Sequence, residues 1–262
     1  MAAGLQFSFF IMDFLKESYD REGKKTNITM LTTFDHPNCW EYLKALNELK
    51  LKPQAIIAKQ GPKSLNKVRT IIQKRIGENY ELLKLNDVQN ILKGIPFYFT
   101  DKINSKETVR LIKELKTDLL IPTADVIIKK SLLDAPTQGV VNCHPALLPK
   151  YRGCNAIEWP ILENEPIGST CHFMDEGIDT GPIIFKEEMP VYQGDTYEQI
   201  RARSFIFNAK VMVKGVKSLL EGKNAKPQRE KEGKYHPRMS EKDLENVKEI
   251  LKEGKYSHYK NM

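Results

Sequence analysis

The chain lacks the features that announce several protein classes. Its 262 residues hold only four cysteines, Cys39, Cys143, Cys154 and Cys171. None stands at a metal-finger spacing, and four are too few for a disulfide framework in a chain of this size. That usage fits a reducing compartment, and a cytoplasmic protein is the expectation. No apolar run approaches the roughly 20 residues that a membrane-spanning helix requires, so no membrane association is expected. The run from Leu5 to Leu15 has no basic leader and carries Asp13, which makes a poor secretory signal. It reads instead as an amphipathic docking segment, or as an upstream extension if Met12 begins a shorter chain. No internal repeat is present. An acidic excess is missing too: 41 Lys and Arg stand against 34 Asp and Glu, a net charge of +7. This balance fits either a solvated Lys- and Glu-rich surface or attraction of an anionic partner. No aromatic stacking motif or finger spacing supports nucleic-acid binding.

What is present reads as alternating strands and helices. Asn27–Thr33 forms a first strand. Asp35 or Asn38 caps a helix over Cys39–Lys50, with Trp40, Leu43 and Leu46 at helical spacing. Ala55–Ala58 follows as a second strand, and strand–helix–strand favours a parallel sheet. Ser64–Ile76 is a basic amphipathic helix, with Leu65, Val68, Ile72 and Ile76 on one face. Ile95–Phe99, Leu119–Pro122 and Val140–Asn142 are further strands, and Ser105 caps a helix to Lys116. Ala156–Leu162 is a short helix, and Ile167–Phe173 and Ile183–Met189 pair around an acidic turn. A long helix then runs to Leu220, with Ile206, Ala209, Val213, Val216 and Leu220 as its buried stripe. A last helix spans Glu241–Leu251. The divisions expected are an extension over 1–26, a main domain over 27–222 and a short polar extension over 223–262.

The chemistry concentrates at the end of one strand. Val140-Val141-Asn142-Cys143-His144-Pro145 places an amide and an imidazole at i and i+2. Alternate strand residues share a face, so Asn142 and His144 project together and Cys143 projects opposite. That disfavours a Cys143–His144 nucleophile pair. A second block, His172 to Ile184, supplies an acidic turn able to fold back onto the first. Either polar residue alone reads as structural, and Asp179-Thr180-Gly181-Pro182 alone reads as an ordinary turn.

Together, the two blocks resemble the folate-dependent formyltransferases. The family signature Asn-x-His-Pro-x-x-Leu-Pro, joined later by Asp-x-Gly, stands here as Asn142-Cys143-His144-Pro145-Ala146-Leu147-Leu148-Pro149 and Asp179-Thr180-Gly181. The resemblance is plainest over Leu119–Phe185 and weaker over Asn27–Leu220. It implies an α/β fold, Rossmann-like and doubly wound, with a mostly parallel sheet and a short C-terminal extension. It also implies transfer of a formyl group from 10-formyltetrahydrofolate to an amine, without a metal. Asn142, His144 and Asp179 match the family's catalytic trio. Such a transfer passes through a tetrahedral intermediate, which needs a donor at the oxygen and a proton acceptor near the nitrogen. One oxyanion donor is worth about 3 kcal/mol, and a positioned acid or base roughly 10²–10⁴-fold. His144, His172 and Asp179 do not form a recognised ligand spacing, and the family uses no metal. His172 reads either as core packing or as lining the site.

The resemblance also implies a folate pocket. One wall matches Ala124, Asp125, Val126, Ile127 and Ile128, the other Asp175, Glu176, Gly177 and Ile178. Val126, Ile127 and Ile128 suit a flat heteroaromatic ring and equally suit plain core. The amine acceptor is narrowed by departures from family members. Thr32-Thr33-Phe34-Asp35-His36-Pro37 has none of the glycine that a phosphate-cradling loop needs, which speaks against the purine-pathway enzymes. The polar segment after Leu220 is short for the C-terminal barrel of methionyl-tRNA formyltransferases. The 26 residues before the first strand are short for the N-terminal domain of the formyltetrahydrofolate hydrolases. The expectation is a small-molecule amine, an amino sugar on a nucleotide carrier. Alternatives are a phosphoribosylglycinamide or methionyl-tRNA formyltransferase-like enzyme, or a non-catalytic folate- or polyanion-binding module. A homodimer is left open.

Overall fold

The computed structural model describes residues 25–59, 65–76, 85–123 and 126–260. The expected extension therefore lies outside the described residues up to position 24. Ser64, Ala124 and Asp125 lie outside them too. Strands β1 (Ile28–Thr32), β2 (Ala55–Lys59), β3 (Phe97–Thr100), β4 (Leu119–Pro122) and β5 (Gly139–His144) pair parallel, and β7 (Gly168–Phe173) and β8 (Ile183–Glu188) add antiparallel. The order across the sheet is β3-β2-β1-β4-β5-β7-β8. Chain order reverses between β1 and β4, so the sheet is doubly wound, and ligands of such sheets bind beyond the carboxyl ends of the strands. A separate parallel pair joins β6 (Tyr151–Gly153) to β9 (Lys234–His236).

Helices cover both faces, and strand alternation sorts the core between them. Met30, Ile56 and Ile121 face α1 (Pro37–Glu48), α2 (Leu65–Ile76) and α7 (Tyr197–Leu220), against Trp40, Leu43, Val68, Ile72, Met212 and Val216. Their neighbours Leu31, Ile57 and Leu120 face the other way, against Ile112 of α4 (Lys106–Glu114) and Leu132 of α5 (Lys130–Leu133). Strands buried on both faces read as continuous apolar runs, which is how they stood in the sequence.

Several local expectations are corrected. The first helix is capped by His36, whose Nδ1 accepts from the Asn38 amide at 3.1 Å, not by Asp35 or Asn38. Pro37 sets this boundary, since its fixed φ suits a first helical residue. Ile206 is 39% exposed and outside the stripe of α7. The helix is buried along Ser204, Asn208, Met212 and Gly215, and Ile206 falls on the side opposite Ser204 and Asn208. Helices α3 (Leu85–Leu92) and α5 were not expected; α5 is a single turn, too short for periodicity to show. Ser105 does cap α4, and Thr196 and Gln199 close a capping box on α7.

The extension after Gly222 packs closely onto the body. Val247 and Leu251 of α8 (Glu241–Lys252), with Tyr256, form a third core with Ile157, with Ile161 of α6 (Glu158–Leu162), and with Met189 and Ile200. Trp159 Nε1 donates to the Pro237 carbonyl at 3.0 Å. All four cysteines are free; Cys39, Cys143 and Cys171 are buried and Cys154 is exposed. Burial pushes the Cys39 thiol up to about 12 and the Cys143 and Cys171 thiols upward as well. Among the described residues no helix is long and apolar enough to cross a membrane.

Candidate active site

Strand β5 ends at the carboxyl edge of the sheet, and its alternation sorts chemistry from core. Val141 and Cys143 enter the core beneath α1 and α7. The Cys143 carbonyl is held there by Asn208 Nδ2 at 2.9 Å, and the same amide donates to Tyr42 Oη at 2.9 Å. This buried bracket fixes the peptide between Asn142 and His144, whose side chains lie on the other face.

Antiparallel pairing with β7 then places His172 directly across from Asn142. Asn142 Nδ2 and His172 Nε2 lie 3.4 Å apart, and His172 Nδ1 lies 2.8 Å from the Phe173 carbonyl. Burial depresses the imidazole to about 4; Asp179 opposes that shift and His144 adds to it. The ring is therefore neutral near pH 7. Its Nδ1–H donates to the Phe173 carbonyl, which leaves Nε2 as an acceptor for the Asn142 amide. His172 Nε2 also lies 3.7 Å from Asp179 Oδ1. That approach is too long for a hydrogen bond, and desolvation outweighs it, so the two do not form an ion pair.

The acidic turn brings Asp179 back over this strand pair. Asp175 Oδ1 accepts from the Gly177 amide at 3.1 Å and from Thr180 Oγ1 at 2.5 Å, closing the turn. Gly181 is required here: a Cβ on it would sit 2.0 Å from the Phe173 carbonyl oxygen. Asp179 adopts a left-handed φ of 55°, which Asp tolerates better than most residues. Its Oδ2 accepts from the Gly153 amide at 2.9 Å and faces His144 Nδ1 at 3.5 Å. His144 Nε2 donates to the Tyr151 carbonyl at 2.9 Å. Nε2 therefore carries a hydrogen, and Nδ1 is the ring nitrogen that faces the Asp179 carboxylate.

The structure thus brings Asn142, His144 and Asp179 together and adds His172 to them. The residues expected to wall the folate pocket divide. A cleft of about 460 Å³ opens beside the turn, lined by Lys130, Leu133, Asp134, Met174, Asp175, Glu176 and Gly177. Asp175, Glu176 and Gly177 were expected there. Ile178 is half exposed and lies outside the lining. Val126 and Ile127 are exposed, the latter at 77%, in a loop tied down by Asn104 through the Ile127 carbonyl and the Lys129 amide. Ile128 is buried in the core against α5. Ala124 and Asp125 lie outside the described residues. Among the described residues, no group of three or more His, Cys, Asp or Glu side chains is placed to hold a metal ion.

Sequence reading missed Lys130, Leu133, Asp134 and Met174, which reach the cleft through the single turn α5 and the end of β7. It also missed Arg152, Gly153 and Gln228 around Asp179. Asn142 opposite His172 was legible in principle, because antiparallel pairing of β5 and β7 fixes that register.

The formyl transferase family profile matches residues 36–216. The chain belongs to that family. It is 32% identical over 197 residues to a methionyl-tRNA formyltransferase of Clostridioides difficile, covering 67% of this chain and 63% of that protein. A methionyl-tRNA formyltransferase of Clostridium botulinum is 31% identical over 156 residues, covering 58% and 50%. The chain thus spans about half to three fifths of the length of these curated relatives. Among solved structures it resembles an N-formyltransferase from Helicobacter canadensis in complex with folinic acid and dTDP-3-aminofucose (TM-score 0.57, 19% identity, 83% of this chain and 72% of that one). It also resembles a phosphoribosylglycinamide formyltransferase from Streptococcus pneumoniae (TM-score 0.55, 21% identity, 74% and 98%). These likenesses establish the shared fold.

Proposed function

We propose that this protein transfers a formyl group from 10-formyltetrahydrofolate to a primary amine, with Asn142, His144 and Asp179 as its catalytic groups. The observation that carries this reading is the cluster at the carboxyl end of β5, where Asn142 meets His172 and both His144 and His172 approach Asp179. The amine nitrogen attacks the formyl carbon and forms the new C–N bond. The carbonyl oxygen takes up negative charge, and the bond from the formyl carbon to the folate N10 then breaks. One proton leaves the amine and one reaches N10, so the products are a formamide and tetrahydrofolate.

The residues have distinct parts in this. Asn142 spends one amide hydrogen on His172 Nε2, which orients the side chain and leaves the second for the oxyanion. His144 Nδ1 takes the amine proton, and Asp179 stabilises the imidazolium that results. The folate ring is proposed to enter the cleft beside Asp175, Glu176 and Gly177, whose volume of about 460 Å³ is within the usual range for small-molecule sites.

For the acceptor we favour an amino sugar on a nucleotide carrier. The Helicobacter canadensis structure, which covers 83% of this chain, is a complex with such a compound. The net charge of +7 suits an anionic acceptor of this kind. Methionyl-tRNA is the second reading, favoured by relatives at 31% and 32% identity. The test is tetrahydrofolate release from 10-formyltetrahydrofolate with nucleotide-linked 3- and 4-amino sugars, glycinamide ribonucleotide, methionyl-tRNA and no amine. Turnover only with an amino sugar supports the favoured acceptor, and turnover with methionyl-tRNA alone replaces it. Release without any amine marks a hydrolase. No release with any acceptor rejects the catalytic reading in favour of a binding module.

A further inference from the structure

The family match ends at residue 216, yet the backbone of Asp179 is held by a residue beyond it. Gln228 Nε2 donates to the Asp179 carbonyl at 2.9 Å and to the Gly181 carbonyl at 2.6 Å. Its Oε1 accepts from Arg152 Nη2 at 3.0 Å and Nε at 3.3 Å. The orientation of the amide is unambiguous, because a guanidinium can only donate and a carbonyl can only accept. Arg152 is 9% exposed and sits in the middle of β6, between Tyr151, which accepts from His144, and Gly153, which donates to Asp179. Gly233 lies against the guanidinium so closely that a Cβ there would be 2.4 Å from Arg152 Cζ. The two sides of this arrangement come from different parts of the chain. One is β6, within the matched region. The other is the extension after Gly222.

We propose that Gln228, fixed by Arg152, is a positioning residue for Asp179. It grips the carbonyls on either side of Thr180 and so holds the left-handed turn that aims the Asp179 carboxylate at His144 Nδ1 and the Gly153 amide. It touches no reacting atom. This rests on the catalytic role proposed for Asp179, and it adds that the extension completes the site. Two carbonyls lose their donor when Gln228 is removed. The turn then samples other backbone conformations, and the carboxylate leaves its place for part of the time.

The test compares Gln228→Met, similar in length but without hydrogen bonds, with the wild type. The first readout is amide hydrogen exchange at Gly153 and Cys154. The Gly153 amide bonds Asp179 Oδ2, whereas the Cys154 amide bonds the His236 carbonyl within the β6–β9 pairing. The expected result is exchange at Gly153 faster by about tenfold, with Cys154 unchanged. Acceleration at both positions would mean that Gln228 only holds the extension down, and acceleration at neither would mean that it does not hold Asp179. Either outcome overturns the proposal. The second readout is kinetic: kcat falls about 10- to 100-fold, KM for 10-formyltetrahydrofolate changes little, and Gln228→Met adds no loss to Asp179→Asn. Additive losses would overturn the proposal. A wild-type protein that transfers no formyl group would reject the catalytic reading, while the exchange pattern would still decide whether Gln228 holds Asp179.

Discussion

Asn142 and His172 face each other across an antiparallel strand pair, and the imidazole takes the amide hydrogen at 3.4 Å because burial keeps the ring neutral. An imidazolium would carry hydrogens on both nitrogens and would repel that donor. The orientation of the amide thus depends on the protonation of a residue that itself need not touch substrate.

This gives a pH signature for stability. The folded-state value for His172, about 4, lies below the ordinary 6.5. The unfolded chain therefore takes up a proton near pH 6.5, while the native state does not until about pH 4. The contribution is fully present above pH 6.5 and is lost as pH falls toward 4, reaching roughly 3 kcal/mol. Urea denaturation at pH 7, 5.5 and 4.5 should show wild type losing more stability on acidification than His172→Gln. Parallel losses would contradict the assignment.

Replacing His144 by Ala or Asp179 by Asn should lower the formyl-transfer rate by about two or more orders of magnitude, the usual weight of a positioned acid–base group. Both side chains sit at the sheet edge rather than in the apolar core, so each variant should keep the far-UV circular dichroism of the folded protein. Wild-type rates in either variant would dismiss the mechanism.

The bracket beneath β5 should matter to folding. Asn208→Leu leaves the Cys143 carbonyl and Tyr42 hydroxyl without their amide partner in a buried place. The expected cost is about 1–3 kcal/mol in urea denaturation. A variant as stable as wild type would mean that the two groups find other partners.

Much of this molecule was legible in its sequence, and the illegible parts share a cause. The two-sided strands, the Ser105 cap and the pairing around the acidic turn follow from alternation and capping rules that act over a few residues. Asn142 and His144 were readable because strand alternation is local, and Asp179 because a longer motif linked it to them. Gln228 carried no such signal. It is a polar residue in a polar stretch, and only the pairing of β6 with β9 gives it meaning. The same holds for Lys130 and Leu133, brought to the cleft by one helical turn. Ile128 shows the limit of local signals: an apolar residue suits a ring and a core alike, and burial in one cluster with Leu132 could not be read from the sequence.

The distribution of the cysteines has a practical consequence. Only Cys154 is exposed, and burial holds the other three thiols away from the reactive thiolate form. A maleimide-linked fluorophore or spin label would therefore attach at one position in the native protein without prior engineering. That position follows Gly153, whose amide bonds Asp179, so the label would report from beside the proposed reaction centre.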